Sequence, residues 1–267
     1  MTRHATWVLV CVFVGAGIPL PAPPALFALP ALFALPALPA LSALPALPAL
    51  SALPALSSQQ SPSGRLFPPQ DLSLLEAPDR DEWQKPDLIM DELQIADGSR
   101  VADLGAGGGW FTIRLARRVG PNGLVYAQDI QPLMIEAMSR RVEREGLRNV
   151  VPVLGTATDP KLPQTGELDA VLIVGAFHEM DDPARPEIIL TLLDSVARAL
   201  KPQGRLGIVD FTPGGGGPGP AADERVDPET VTKAAARAGF RLQKRETIPP
   251  FIFLLVFGKS GAPPTAR

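Results

Sequence analysis

The chain has 267 residues, with 25 Lys and Arg against 28 Asp and Glu, a formal net charge of −3 and one cysteine, Cys11. Both charge signs are interspersed from Arg65 onward without a basic stripe, which speaks against a nucleic-acid partner and for a small-molecule ligand. Beyond Cys11 there is no thiol, so that part of the chain has no disulfide framework, zinc–cysteine site or cysteine nucleophile, and no metal site is read from it.

Residues 1–22 open with Arg3 and His4 and continue into an apolar run of roughly a dozen residues, short of the about 20 a membrane-spanning helix needs. The pattern fits a secretory signal peptide or membrane anchor. It implies export to a periplasmic or secreted location, or membrane association through the N-terminus. A cytoplasmic enzyme with a misplaced translation start is the alternative. Residues 23–64 form a Pro/Ala/Leu low-complexity repeat and linker. Their x-Ala-Leu triplets match the three-residue turn of polyproline II, and proline at this density forbids an α-helix.

Residues 65–267 read as one α/β domain. "KPDLIMDELQI" is helix-like, "RVADLG" is a buried strand, and "WFTIRLARRV" has helical apolar spacing with a stop at Gly120-Pro121. "GLVYAQDI" is a strand and "PLMIEAMSRRVEREG" a helix. "NVVPVLG" and "LDAVLIVGA" are strands, and a long helix from Pro186 ends near Lys201-Pro202. "RLGIVDF" is a strand, "DPETVTKAAARAGF" a helix, and two apolar runs follow around Pro249-Pro250. The alternation predicts a Rossmann-like, seven-stranded, mostly parallel sheet with helices on both faces. The last two strands have no helix between them and should form an antiparallel hairpin at one edge.

The turn after the first strand, "DLGAGGG", carries Gly105, Gly107 and Gly109 behind Asp103. Such glycines adopt backbone angles closed to other residues and let the main chain approach a ligand. A dinucleotide fingerprint would need a third glycine at Trp110 or Thr112, and no Gly-Lys-Ser/Thr follows for a P-loop. Asp103 would repel a diphosphate and suits an amino group. A cationic nucleoside with an amino-acid tail, S-adenosylmethionine, fits. Asp129 ends the second strand about 20 residues on, where an acid can hold both ribose hydroxyls. His178, with Glu179 beside it, follows the fourth strand and is the one histidine beyond the N-terminal segment. Its ordinary titration range suits a general base that deprotonates or orients an acceptor, with Glu179 in support. "FHEMDDP" equally reads as a plain helix start. Trp83 is read as a lid residue or a packing anchor, Trp110 and Phe111 as core, and "PGGGGPGP" as a flexible loop near the acceptor.

"VADLGAGGGWFT", "VYAQDIQPLMIEAM", "VVPVLGTATDPKLP" and "FHEMDDP", in this order, resemble class I S-adenosylmethionine-dependent methyltransferases, above all a bacterial branch with "YHE" after the fourth strand. The resemblance runs from about Phe67 to Gly258 and includes "DRDEWQKP". It implies that Asp103, Gly105 and Gly107 line the methionine end of the cofactor, that Ile130 packs on the adenine, and that Thr156 and Ala157 flank the adenine edge. Gly175 stands where relatives often carry Asp, and Phe177 where they carry Tyr. "TPGGGGPGPAADERVD" replaces a basic, His-containing segment that shapes the acceptor pocket. The reading is methyl transfer to a small molecule. The alternatives are a non-catalytic cofactor-binding module and, behind it, an NAD-dependent oxidoreductase.

Overall fold

The computed structural model describes residues 66–261. The signal-like start 1–22 and the repeat 23–64 lie outside the described residues. Seven strands form one sheet: β1 (Arg100–Leu104), β2 (Leu124–Asp129), β3 (Val150–Leu154), β4 (Leu168–Val174), β5 (Leu200–Phe211), β6 (Phe240–Ile248) and β7 (Ile252–Lys259). Their spatial order is β3-β2-β1-β4-β5-β7-β6. The first five strands are parallel, and β7 runs antiparallel to both β5 and β6. The C-terminal hairpin therefore adds its second strand first. The burial patterns explain why. Ile252–Phe257 of β7 are all buried, as an inner strand requires, whereas β6 alternates between covered and open residues as an edge strand does.

Helices cover both faces. On one, α6 (Pro186–Ala199) and α7 (Pro228–Arg237) bury Ile189, Leu193, Val196 and Val231 against Leu206, Ile208 and Leu255. On the other, α2 (Pro86–Glu92) and α3 (Trp110–Val119) bury Ile89, Leu115 and Val119 against Val101, Leu172 and Val256. α4 (Pro132–Arg144) closes a smaller cluster of Ile113, Ala127, Met138 and Val142. Three helices start on proline, whose missing N–H costs nothing at a first turn. Gly120, in the left-handed region at φ 64°, ends α3. α6 stops at Ala199, short of Lys201-Pro202, because Leu200 already pairs with Leu168 as the first residue of β5.

Elements absent from the sequence reading precede and interrupt this frame. A 3-10 helix spans Pro69–Glu76, α1 spans Arg80–Gln84, and α5 is one turn, Phe177–Met180. All three lie at the carboxyl ends of the parallel strands, beside the cavity described next.

Candidate active site

β1 is flanked by β2 on one side and β4 on the other, so the chain reverses its direction of strand addition there. In open α/β sheets ligands bind at this switch point, outside the carboxyl ends of the strands. A cavity of 520 Å³ opens at that point, within the usual small-molecule range of about 300–1,000 Å³. The loops after β1, β2, β3, β4 and β5 all line it, and residues 66–77 form its outer wall.

Asp103, Gly105 and Gly107 line one half of this cavity, with Asp129, Ile130, Thr156 and Ala157 beside them. Gly105 (φ 70°) approaches α5 so closely that a Cβ there would lie 2.7 Å from that of Ala176. Gly107 (φ 54°) donates its N–H to Asp129 Oδ2 at 2.9 Å. Gln131 N–H takes Asp129 Oδ1 at 2.9 Å. Two main-chain donors thus fix the Asp129 carboxylate and leave further lone pairs for a ligand. Gly109 is not among the lining residues. At φ 80° it caps α3 and sits against Met138.

Asp103 is 1% exposed and accepts from Thr112 Oγ1 at 2.7 Å. Burial pushes its carboxyl up to about 6, and the Thr112 bond and the charge of Arg80 only partly oppose this. A buried, cavity-lining acid whose ionisation is disfavoured gains from a cationic ligand. Arg80 lies in the same half, held by Gln84 Oε1 at 2.5 Å and by the Leu75 carbonyl, with its guanidinium 4.1 Å from the Trp110 ring centroid. Arg114 lies 3.4 Å from the same ring. Trp110 occupies the third position of a dinucleotide fingerprint, and this sandwich fills the helix start where a pyrophosphate would sit.

His178, Glu179, Phe211, Trp83 and Glu224 line the other half. The sequence pairs His178 with Glu179, but neighbours one residue apart on a helix do not face each other. The structure gives the imidazole a different carboxylate. Nδ1 lies 2.9 Å from Asp210 Oδ1, and the His178 main-chain N–H donates to Asp210 Oδ2 at 3.0 Å. Asp210 is fully buried and also accepts from Phe211 N–H at 2.8 Å. An ionised carboxylate has no proton to give, so Nδ1 carries the hydrogen and Nε2 faces the cavity with its lone pair. Burial alone would lower the His178 pKa. The Asp210 bond and charge more than reverse this and hold it above the ordinary histidine value. Glu179 lies on the Nε2 side at 3.9 Å and accepts from Phe67 N–H at 3.0 Å. Burial pushes its carboxyl up to about 7.

Trp83 packs between Phe211 and Phe251, at centroid distances of 6.2 and 6.1 Å. It is thus a packing anchor that also faces the cavity. Trp110 and Phe111 are buried as expected and line the cavity as well. The glycine-rich loop after β5 is pinned by Arg225, which donates to the carbonyls of Thr212, Gly216, Pro218 and Pro220. That loop brings Pro218, Gly219, Pro220 and Glu224 to the cavity, and Gly175 faces Phe211 across it. Asp210, Arg80 and Arg225 are the residues sequence reasoning passed over. Asp210 did carry a signal, since it ends an apolar strand just as Asp103 and Asp129 do.

Residues 101–204 match the protein family described as a methyltransferase domain. An uncharacterized methyltransferase of Mycobacterium tuberculosis is 39% identical over 169 residues, which cover 62% of this chain and 59% of the relative. The chain thus spans 59% of the length of the first curated relatives it matches. Demethylmenaquinone methyltransferase of Geobacillus stearothermophilus is 29% identical over 123 residues, 46% of this chain and 49% of that protein. The solved structure of a SAM dependent methyltransferase from Aquifex aeolicus superposes with a TM-score of 0.66 at 27% identity, covering 72% of this chain and 98% of that one.

Proposed function

We propose that this chain, which belongs to the class I S-adenosylmethionine-dependent methyltransferases, moves a methyl group to a proton-bearing atom of a small molecule, with His178 as the base. The observation that carries this reading is the buried His178–Asp210 pair, which opens onto the same cavity as Asp103, Gly105 and Asp129.

In one half of the cavity the Asp103 carboxylate meets the amino group of the donor, Gly105 and Gly107 give its methionine tail room, and Asp129 receives the ribose hydroxyls. Ile130, Thr156 and Ala157 surround the adenine. The donor supplies a methyl group already activated on a sulfonium sulfur. The protein's task is then to hold the acceptor in line and to keep water out, and orientation of this kind is worth several orders of magnitude in rate. His178 takes the acceptor proton on Nε2 while Asp210 keeps Nδ1–H aligned and stabilises the imidazolium. Gln131, Phe67 and the wall of residues 66–77 shield the site.

A small acceptor is supported by the size of the cavity and by a relative named for demethylmenaquinone, itself a small quinone. The alternative of a binding module without turnover rested on the glycine-rich loop, yet that loop lines the cavity instead of abandoning it. For location we carry forward export or anchoring through residues 1–22, which N-terminal sequencing of the native protein tests.

Trp83 and Trp110 both line the cavity, so their fluorescence reports binding directly. Titration with S-adenosylhomocysteine should quench it saturably, and NAD should not. Saturable binding of NAD alone would sink the proposal. With an acceptor in hand, His178→Ala should cost about 10²- to 10⁴-fold in kcat, the usual worth of a positioned base.

A further inference from the structure

The two halves of the cavity differ in charge. The cations that line it, Arg80 and Arg141, belong to the donor half. Arg80 interacts with Asp103 and Glu76, and Arg141 with Glu76 and the Gly108 carbonyl. The groups acting on His178 are Asp210, Glu179 and Glu224, and those acting on Glu179 are His178, Asp129 and Asp210; neither set contains an arginine or lysine. His178 is 7% exposed and its Nε2 lies 3.9 Å from Glu179 Oε1, beyond hydrogen-bond reach, so a buried acceptor nitrogen faces this half without a bonded partner. Aromatic faces complete it. Phe211 lies 6.3 Å from the His178 ring and 6.2 Å from that of Trp83.

We propose that the acceptor is an aromatic or aliphatic amine, bound as its ammonium form between the Glu179 and Glu224 carboxylates and the faces of Trp83 and Phe211. This rests on the methyltransferase reading above and names its substrate class. Carboxylates and aromatic faces each favour a cation, the latter by about 0.5–2 kcal/mol, and an anionic acceptor would enter against two acids with no counter-charge. The step balances as follows. Nε2 of neutral His178 takes one proton from the ammonium. The freed lone pair on nitrogen forms the N–CH3 bond as the S–CH3 bond breaks, and that bond's electrons stay on sulfur as a thioether. The cationic donor alongside favours the neutral amine by like-charge repulsion.

The test is calorimetric binding to protein saturated with S-adenosylhomocysteine, using three probes of one shape: 2-phenylethylamine, 2-phenylethanol and 3-phenylpropionate. The amine should bind at least about tenfold tighter than the alcohol, and the carboxylate weakest of the three, by the tenfold-per-1.4-kcal/mol relation. Glu224→Gln and Glu179→Gln should each weaken the amine several-fold and leave the alcohol unchanged. Glu224 is exposed, so its variant keeps the fold even if the Glu179 variant does not. Equal affinity for amine and alcohol, tighter binding of the carboxylate, or no binding of the amine would overturn the assignment. Failure of S-adenosylhomocysteine itself to bind would instead remove the methyltransferase reading on which it stands.

Discussion

Replacing Asp210 by Asn tests the base without knowing the acceptor. Asp210 accepts three hydrogen bonds, from His178 N–H at 3.0 Å, His178 Nδ1 at 2.9 Å and Phe211 N–H at 2.8 Å. Asn keeps the shape, loses the charge, and turns one acceptor oxygen into a donor that opposes one of these N–H groups. A hydrogen bond to a charged group is worth about 1.5–3 kcal/mol, which at 1.36 kcal/mol per pKa unit is about one to two units for His178. The chain holds two histidines, His4 and His178, so the ring signals are assignable by NMR from the spectrum of a His178→Asn variant. In the wild type, burial lowers the His178 pKa and Asp210 more than restores it, so the midpoint lies above 6.5. In Asp210→Asn burial acts unopposed, and the midpoint should fall below 6.5. Stability follows the same sign. A raised histidine stabilises the fold fully below its unfolded pKa and loses that contribution as pH rises through the folded value. The gap in Tm between wild type and variant should therefore be widest in acid and narrow toward pH 9. An unchanged His178 midpoint in the variant would refute the reasoning.

Burial holds Asp103 at about 6 and Glu179 at about 7, so the folded chain keeps protons that the unfolded chain releases. That stabilisation is complete below the ordinary carboxylate values and lost as pH rises through about 6 and 7, roughly 3 kcal/mol for Asp103. The Tm of ligand-free protein should accordingly fall between about pH 5 and pH 8, and a flat profile would contradict the assignment; Asp103→Asn should flatten part of the slope and weaken S-adenosylhomocysteine about tenfold or more, as loss of a charged hydrogen bond does. Gly105→Ala forces a left-handed alanine, at about 1–2 kcal/mol, and drives its Cβ to 2.7 Å from that of Ala176. It should lower both Tm and cofactor affinity, and retained affinity in the fluorescence titration would show that the turn is not the cradle. Arg225→Ala removes the donor to four carbonyls and should speed proteolysis within residues 213–220, while leaving S-adenosylhomocysteine binding within about twofold, since surface changes rarely exceed about 0.5 kcal/mol elsewhere. Unchanged cleavage would mean that the loop holds its own shape.

Much of this was readable because parallel strands are buried on both faces and appear as unbroken apolar runs. "LDAVLIV" and "FIFLLVF" needed no context, and Gly120 marked the end of α3. Asp103 and Asp129 were legible because each acid ends such a run beside a glycine turn or about 20 residues beyond it. Asp210 ends a run too, but its meeting with His178 depends on β5 lying next to β4, which is a property of strand order and not of spacing. The 3-10 helix Pro69–Glu76 has no usable periodicity. Tertiary contacts order it: Leu72 against Gly108, the Leu75 carbonyl on Arg80, and Glu76 on Arg141. The glycine-rich loop suggested freedom because its anchor, Arg225, lies beyond it in sequence and acts on main-chain oxygens that no composition reveals.

The outer wall is gripped at a single peptide-bearing residue. Phe67 gives its N–H to Glu179, which follows β4, and its carbonyl receives Gln131 Nε2 at 3.0 Å, from the loop after β2. One end of that grip stands beside the base and the other beside the nucleoside acid. The two compartments therefore share one door with a latch on each jamb, and a guest that displaces either side chain loosens the door for both.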